Sequence, residues 1–174
     1  MDTDGLSATL GSIETLGREA MTELRQLLGA MFHAGDGPRL PQPGTDDLAA
    51  LVADTTKAGI DASLVLEGEA RPLPEPVDVS VYRLAQESLS NAMRHAPGSR
   101  AIVTLGYHPG CVTLSVVNSP GRGDAPGDRG LGLGVPGMRE RARQFGGTLT
   151  ADPTTDGGFA VRAELPTPTR ESVR

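Results

Sequence analysis

The chain has 174 residues, enough for one domain with an appendage and too few for two full-sized domains. Net charge is −6, from 22 acidic and 16 basic residues, and aromatic residues make up 3%. That balance supplies neither a phosphate-tracking basic surface nor a base-stacking platform, so nucleic acid is excluded as a direct partner.

The pattern opens on a helix. Across residues 6–31, apolar or small residues recur at steps of four and three: Leu6, Leu10, Ile13, Gly17, Ala20, Leu24, Leu27 and Met31. This is a heptad seam, narrower than the face a helix turns to a globular core. It predicts one element of an intermolecular bundle, about 39 Å long at the usual rise. Residues 34–45, AGDGPRLPQPGT, read as a linker. Thr45 or Asp46 is expected to cap a short helix to about Ala58, stopped by Gly59, and a strand is expected over residues 62–66.

Pro72, Pro74 and Pro76 lead stiffly into a second long helix over residues 77–95, which ends at Ala96-Pro97-Gly98. Strands over 101–107 and 111–118 form a hairpin about Pro109-Gly110. Cys111, the single cysteine, cannot form an internal disulfide and is expected as a small core residue in a reducing compartment. SPGRGDAPGDRG, residues 119–130, is too polar and glycine-rich to pack and reads as a lid-like loop. A third helix over 135–145, stopped by Gly146-Gly147, and strands over 148–152 and 159–165 complete the domain, and the last residues form a loose tail. The order of elements predicts a mixed sheet covered by helices on one face. No run reaches the roughly 18 apolar residues of a membrane span, and no basic-then-apolar leader opens the chain, so a cytoplasmic segment without membrane contact is expected.

Two constellations carry chemistry. Glu87, Asn91 and His95 recur at i, i+4 and i+8 along one edge of the second long helix, with Arg94 beside them. A carboxylate and an amide oxygen one turn apart suit a magnesium-phosphate group, although such a stripe is commonly a solvated helix face. The second is Gly130-Leu131-Gly132-Leu133-Gly134, running into Val135-Pro136-Gly137-Met138. Glycines at a helix N-terminus let backbone N–H groups approach phosphate oxygens, though a flexible hinge has the same composition. No Gly-Lys-Ser/Thr follows, and the glycines do not sit in the tight turn after a first strand. Walker and Rossmann readings are therefore excluded.

Together the motifs are specific. LAQESLSNAMRHA, residues 84–96, resembles the N box of the GHKL ATPase superfamily in the form found in sensor histidine kinases that serve NarL-type response regulators. GLGLGVPGMRERARQFGG, residues 130–147, resembles their second glycine box, GGFAVRAELP their closing strand, and LGSIETLGREAMTELRQLLGAM the second helix of their dimerisation domain. The resemblance implies an α/β sandwich of the Bergerat type, divided into a dimerisation-domain helix at 1–33, a linker at 34–45, the ATP-binding catalytic domain at 46–166 and a tail at 167–174. It implies ATP and Mg²⁺ as ligands. Asn91 would coordinate Mg²⁺, Glu87 would orient or polarise the reacting group, and Arg94 and His95 would lie near the phosphates. Gly130, Leu131, Gly132, Leu133 and Gly134 would cradle the phosphate chain. The implied reaction moves the γ-phosphoryl group of ATP to a histidine, for relay to a response regulator of the NarL/LuxR type, with a homodimer formed through residues 6–31.

Two features depart from the family pattern. The first glycine box usually supplies an aspartate to the adenine amino group, whereas VNSPGRG, residues 117–123, offers Asn118, which accepts without a charge. The reactive histidine is also missing. His33, His95 and His108 have the wrong context, so the acceptor helix has to come from elsewhere. A short anti-sigma-type serine kinase and a non-catalytic docking module are the alternatives.

Overall fold

A computed structural model describes residues 42–122 and 134–167. The expected seam helix, most of the linker, four of the five residues from Gly130 to Gly134 and the tail beyond Thr167 lie outside the described residues. The chain divides into two units, Met1–Pro41 and Gln42–Arg174, and the described residues all belong to the second.

The first helix is capped differently from the expectation. Gly44 stands at the N-cap of a short 3-10 turn, Thr45–Asp47, and its N–H donates to the Asp47 carboxylate at 2.9 Å. Thr45 does not cap. Its backbone N–H and its hydroxyl both donate to Asp78, which tethers this corner to a helix 33 residues away. Helix α1, Leu48–Lys57, follows and stops at Gly59 as its sequence predicts. Gly59 takes φ +106°, a conformation that favours glycine, and Gly59 N–H and Ile60 N–H close back onto Thr56 and Thr55.

Strand β1, Asp61–Glu67, leads through the proline-rich approach to α2, Glu75–His95. This helix begins two residues before the expected start because Pro76 suits a first turn, where its missing N–H leaves no bond unmade. Strands β2, Arg100–His108, and β3, Cys111–Asn118, form the expected hairpin. Helix α3, Gly134–Arg143, and strands β4, Thr148–Pro153, and β5, Phe159–Pro166, complete the domain.

The five strands lie in the order β1-β2-β3-β5-β4. Only β1 and β2 pair in parallel, because α2 carries the chain between them; the other three pairings are antiparallel. Alternation then separates the faces. Val103 and Leu105 sit beside Val116 and Leu114, which pair with Val161 and Ala163, and all six are buried. The intervening positions carry Thr104, Thr113, Ser115, Arg162 and Glu164, on the face away from the core. From α2, Val77, Val81, Leu84, Ala85, Leu89 and Ala92 pack into this core, joined by Leu48 and Val52 of α1 and by Met138 and Ala142 of α3. Fully burying one leucine side chain contributes about 2 kcal/mol. The apolar stripe therefore docks α2, and its polar edge is left to meet something else.

Two local expectations fail for the same reason. Cys111 is half-buried rather than central, since it opens β3 opposite His108 and beside Pro166 at the hairpin end. Thr167, assigned to the tail, is buried; its N–H donates to the Gly110 carbonyl at 2.8 Å, and its hydroxyl accepts from Arg71 at 2.6 Å. The same Arg71 Nη2 also donates to the carbonyls of His108 and Cys111. One guanidinium thus ties the strap before α2 to the end of β5.

Candidate functional site

Of the polar residues on α2, Glu87 and Asn91 are half-buried, whereas Arg94 and His95 in its last turn are exposed. Glu87 and Asn91 meet the start of α3. A Cβ built on Gly134 would stand 2.6 Å from Glu87 Oε1 and 3.3 Å from Asn91 Nδ2. Any side chain at Gly134 would push the carboxylate aside. The last of the five predicted loop residues is therefore seated on the two central polar groups of α2, while Gly130, Leu131, Gly132 and Leu133 lie outside the described residues.

Hydrogen bonds and packing hold α2 and α3 together. Ser88 Oγ donates to the Leu84 carbonyl at 2.7 Å and lies 3.5 Å from Met138 Sδ, so Met138, itself buried, fixes α3 on α2 one turn after Gly134. The first backbone N–H groups of a helix have no partner within it and carry partial positive charge. At Gly134 they open beside a carboxylate and an amide with no Cβ in the way. The chemistry of this donor set fits a metal-bound phosphate: hard oxygens for the cation, N–H groups for the anion.

Asn118 closes β3 on the helix-covered face, buried between Ala101 and Phe159. Its amide nitrogen donates to the Ser119 carbonyl at 2.9 Å, which turns Oδ1 the other way as an acceptor. The chain then passes directly beneath the end of α2. A Cβ on Gly121 would come 2.8 Å from Ala96 Cα, and the Arg122 N–H donates to the Pro97 carbonyl at 2.9 Å. Asn118 thus belongs to the C-terminal end of α2, and Gly134 to its middle.

Sequence reasoning missed two things here. The role of Gly121 as a close-approach glycine was legible only as one glycine among several. A shallow cavity of about 250 Å³, lined by Asp61, Gly98, Arg100, Ser119, Pro120 and Arg122, lies beside the expected site and does not include Glu87 or Asn91. Asp61 and Arg100 pair across it at 3.0 Å, both well exposed, so the pair contributes little. Among the described residues, no cluster of three or more His, Cys, Asp or Glu could hold a metal ion. No described helix is long and apolar enough to cross a membrane.

Comparison with known proteins gives a consistent result. The family described as histidine kinase-, DNA gyrase B- and HSP90-like ATPase matches residues 77–169. The chain is 29% identical to sensor histidine kinase LnrJ of Bacillus subtilis over 165 residues, covering 94% of this chain and 39% of that protein. It is 31% identical to the signal transduction histidine-protein kinase/phosphatase UhpB of Salmonella typhimurium over 173 residues, covering 95% of this chain and 32% of that protein. The chain therefore spans well under half the length of these relatives. Among solved structures, full-length ShkA in complex with AMPPNP aligns with a TM-score of 0.60 at 16% identity, over 97% of this chain and 40% of that one. The blue-light activated histidine kinase EL346 of Erythrobacter litoralis aligns with a TM-score of 0.56 at 19% identity, over 71% of this chain and 42% of that one. At those identities the likeness establishes the fold. With its mixed sheet, its helices on one face and a family match over more than half its length, the chain belongs to the histidine kinase-, DNA gyrase B- and HSP90-like ATPases.

Proposed function

We propose that this chain is the ATP-binding catalytic module of a cytoplasmic sensor histidine kinase region, preceded by a dimerisation helix at residues 6–31 and acting on a histidine carried by another segment. What supports the reading most is the seating of Gly134, the last glycine of the second motif, on Glu87 and Asn91 of the first. Mg·ATP supplies the transferable phosphoryl group and much of its charge neutralisation; the rest is positioning. Asn91 holds Mg²⁺ through its amide oxygen, and the glycines from Gly130 to Gly134, with Leu131 and Leu133 between them, wrap the phosphates with backbone N–H groups. Arg94 and His95 lie near the phosphates, between Asn91 and the end of α2 at which Asn118 accepts from the adenine amino group. Glu87 accepts a hydrogen bond from the incoming imidazole and orients its other nitrogen for attack. The phosphohistidine then serves a response regulator of the NarL type.

The test is incubation of the chain with labelled ATP, Mg²⁺ and a helical peptide bearing one histidine. The expected product loses its label in acid, as phosphohistidine does. An acid-stable label on serine would replace this reading with a serine kinase, and no transfer to any acceptor would leave a docking module.

A further inference from the structure

Helix α3 is held on the domain by little. Of its ten residues only Met138 and Ala142 are buried, and Val135 packs half-buried at the rim of the core. Pro136, Gly137, Glu140, Arg141 and Arg143 face solvent. Gly134, Met138 and Ala142 follow at i, i+4 and i+8, so they lie on one side of the helix. Gly134 has no side chain and Ala142 only a methyl group. Met138, 3% exposed, is therefore the one long side chain in the row that meets the domain.

Helix α2 offers that side chain a notch. Ser88 is 4% exposed, and Ala85 and Ala92, also small and buried, flank it on the same side of the helix. Met138 Sδ reaches within 3.5 Å of Ser88 Oγ. The hydroxyl already has the Leu84 carbonyl as acceptor at 2.7 Å, so its contact with the sulfur is one of fit. Methionine suits such a notch, because its unbranched chain follows an irregular gap.

One turn before Met138, the fit at Gly134 has almost no slack. A Cβ there would stand 2.6 Å from Glu87 Oε1, and Glu87 is the sequence neighbour of Ser88. The same turn of α2 thus receives both the glycine and the methionine. A misplacement of about 1 Å at a reacting site can cost on the order of a hundredfold in rate, so the height of α3 above this turn matters. We propose, resting on the proposed function, that Met138 seated against Ser88 is a positioning residue for nucleotide. Its length and volume set how the start of α3 stands over Glu87 and Asn91, and so how the backbone N–H groups meet the phosphates. It acts through Gly134 and does not touch the nucleotide.

The test separates placement from stability. A fluorescent ATP analogue and Mg²⁺ are titrated into the whole chain and its Met138 variants, each well below its own thermal midpoint, with melts recorded in parallel. Met138→Ala empties the notch and is expected to weaken nucleotide binding about tenfold, together with a lower melt. Met138→Leu, which nearly keeps the volume, is expected to return affinity to within about twofold of the unaltered chain. Met138→Val leaves a smaller void, with an expected loss of about threefold, and carries the test if the alanine variant does not fold. Equal affinity in the unaltered chain and in the alanine or valine variant, beside a lowered melt, overturns the proposal and leaves Met138 as packing alone. A leucine variant as weak as the alanine variant also overturns it, since side-chain volume would then not set the placement. An unaltered chain that binds no nucleotide refutes the proposed function and this inference with it, whereas a chain that binds and ignores Met138 refutes the inference alone.

Discussion

Asn91→Asp is expected to lower phosphoryl transfer to an acceptor histidine by at least about a hundredfold while leaving the fold intact. Asn91 presents a neutral amide one turn after Glu87, with its side chain against Gly134. The substitution keeps the shape and adds a negative charge beside the Glu87 carboxylate and Gly134. Two carboxylates one turn apart repel, and the new one competes for the cation that the phosphates must share. Because Asn91 is half-buried and outside the apolar core, the thermal midpoint should move by only about 2 °C. Initial rates with labelled ATP, paired with a thermal melt, check both parts. An unchanged rate would remove Asn91 from the site, and a collapsed melt would make its role structural.

Leu89→Ala is the largest expected stability effect. Leu89 is 1% exposed, lies between Glu87 and Asn91 in sequence, and points from the opposite side of α2 into the core. Truncation removes the transfer free energy of the lost carbons and leaves a void that the sheet cannot close, a cost of about 2–5 kcal/mol. Urea unfolding followed by circular dichroism should show the midpoint fall with an unchanged slope. A change below about 1 kcal/mol would mean that the helix is held by something other than its apolar stripe.

Much of this architecture is legible in the chain because local signals and burial agree. The stripe from Val77 to Ala92 predicts which face of α2 is buried, Gly59 and Gly146 mark two helix ends, and Pro109-Gly110 marks the hairpin. The misreadings depend on partners distant in sequence. Nothing near Thr45 announces that Asp78 will capture it, and nothing near Thr167 announces Arg71. Cys111 reads as core because its neighbours are apolar, yet its register against His108 places it at the sheet margin. The candidate site divides in the same way. Glu87 and Asn91 are legible from their helical spacing, and their assignment to a nucleotide comes from resemblance. Their contact with Gly134 and the passage of Gly121 under Ala96 follow from how the helices and the loop after β3 come together, which no local pattern encodes.

In the proposed function, the middle of α2 and the start of α3 grip a single triphosphate. Titration of the whole chain with a fluorescent ATP analogue and Mg²⁺ tests it most directly. Saturable binding that unlabelled ATP displaces and that weakens when Mg²⁺ is withdrawn is the expected result; the absence of saturable binding up to millimolar nucleotide would contradict it.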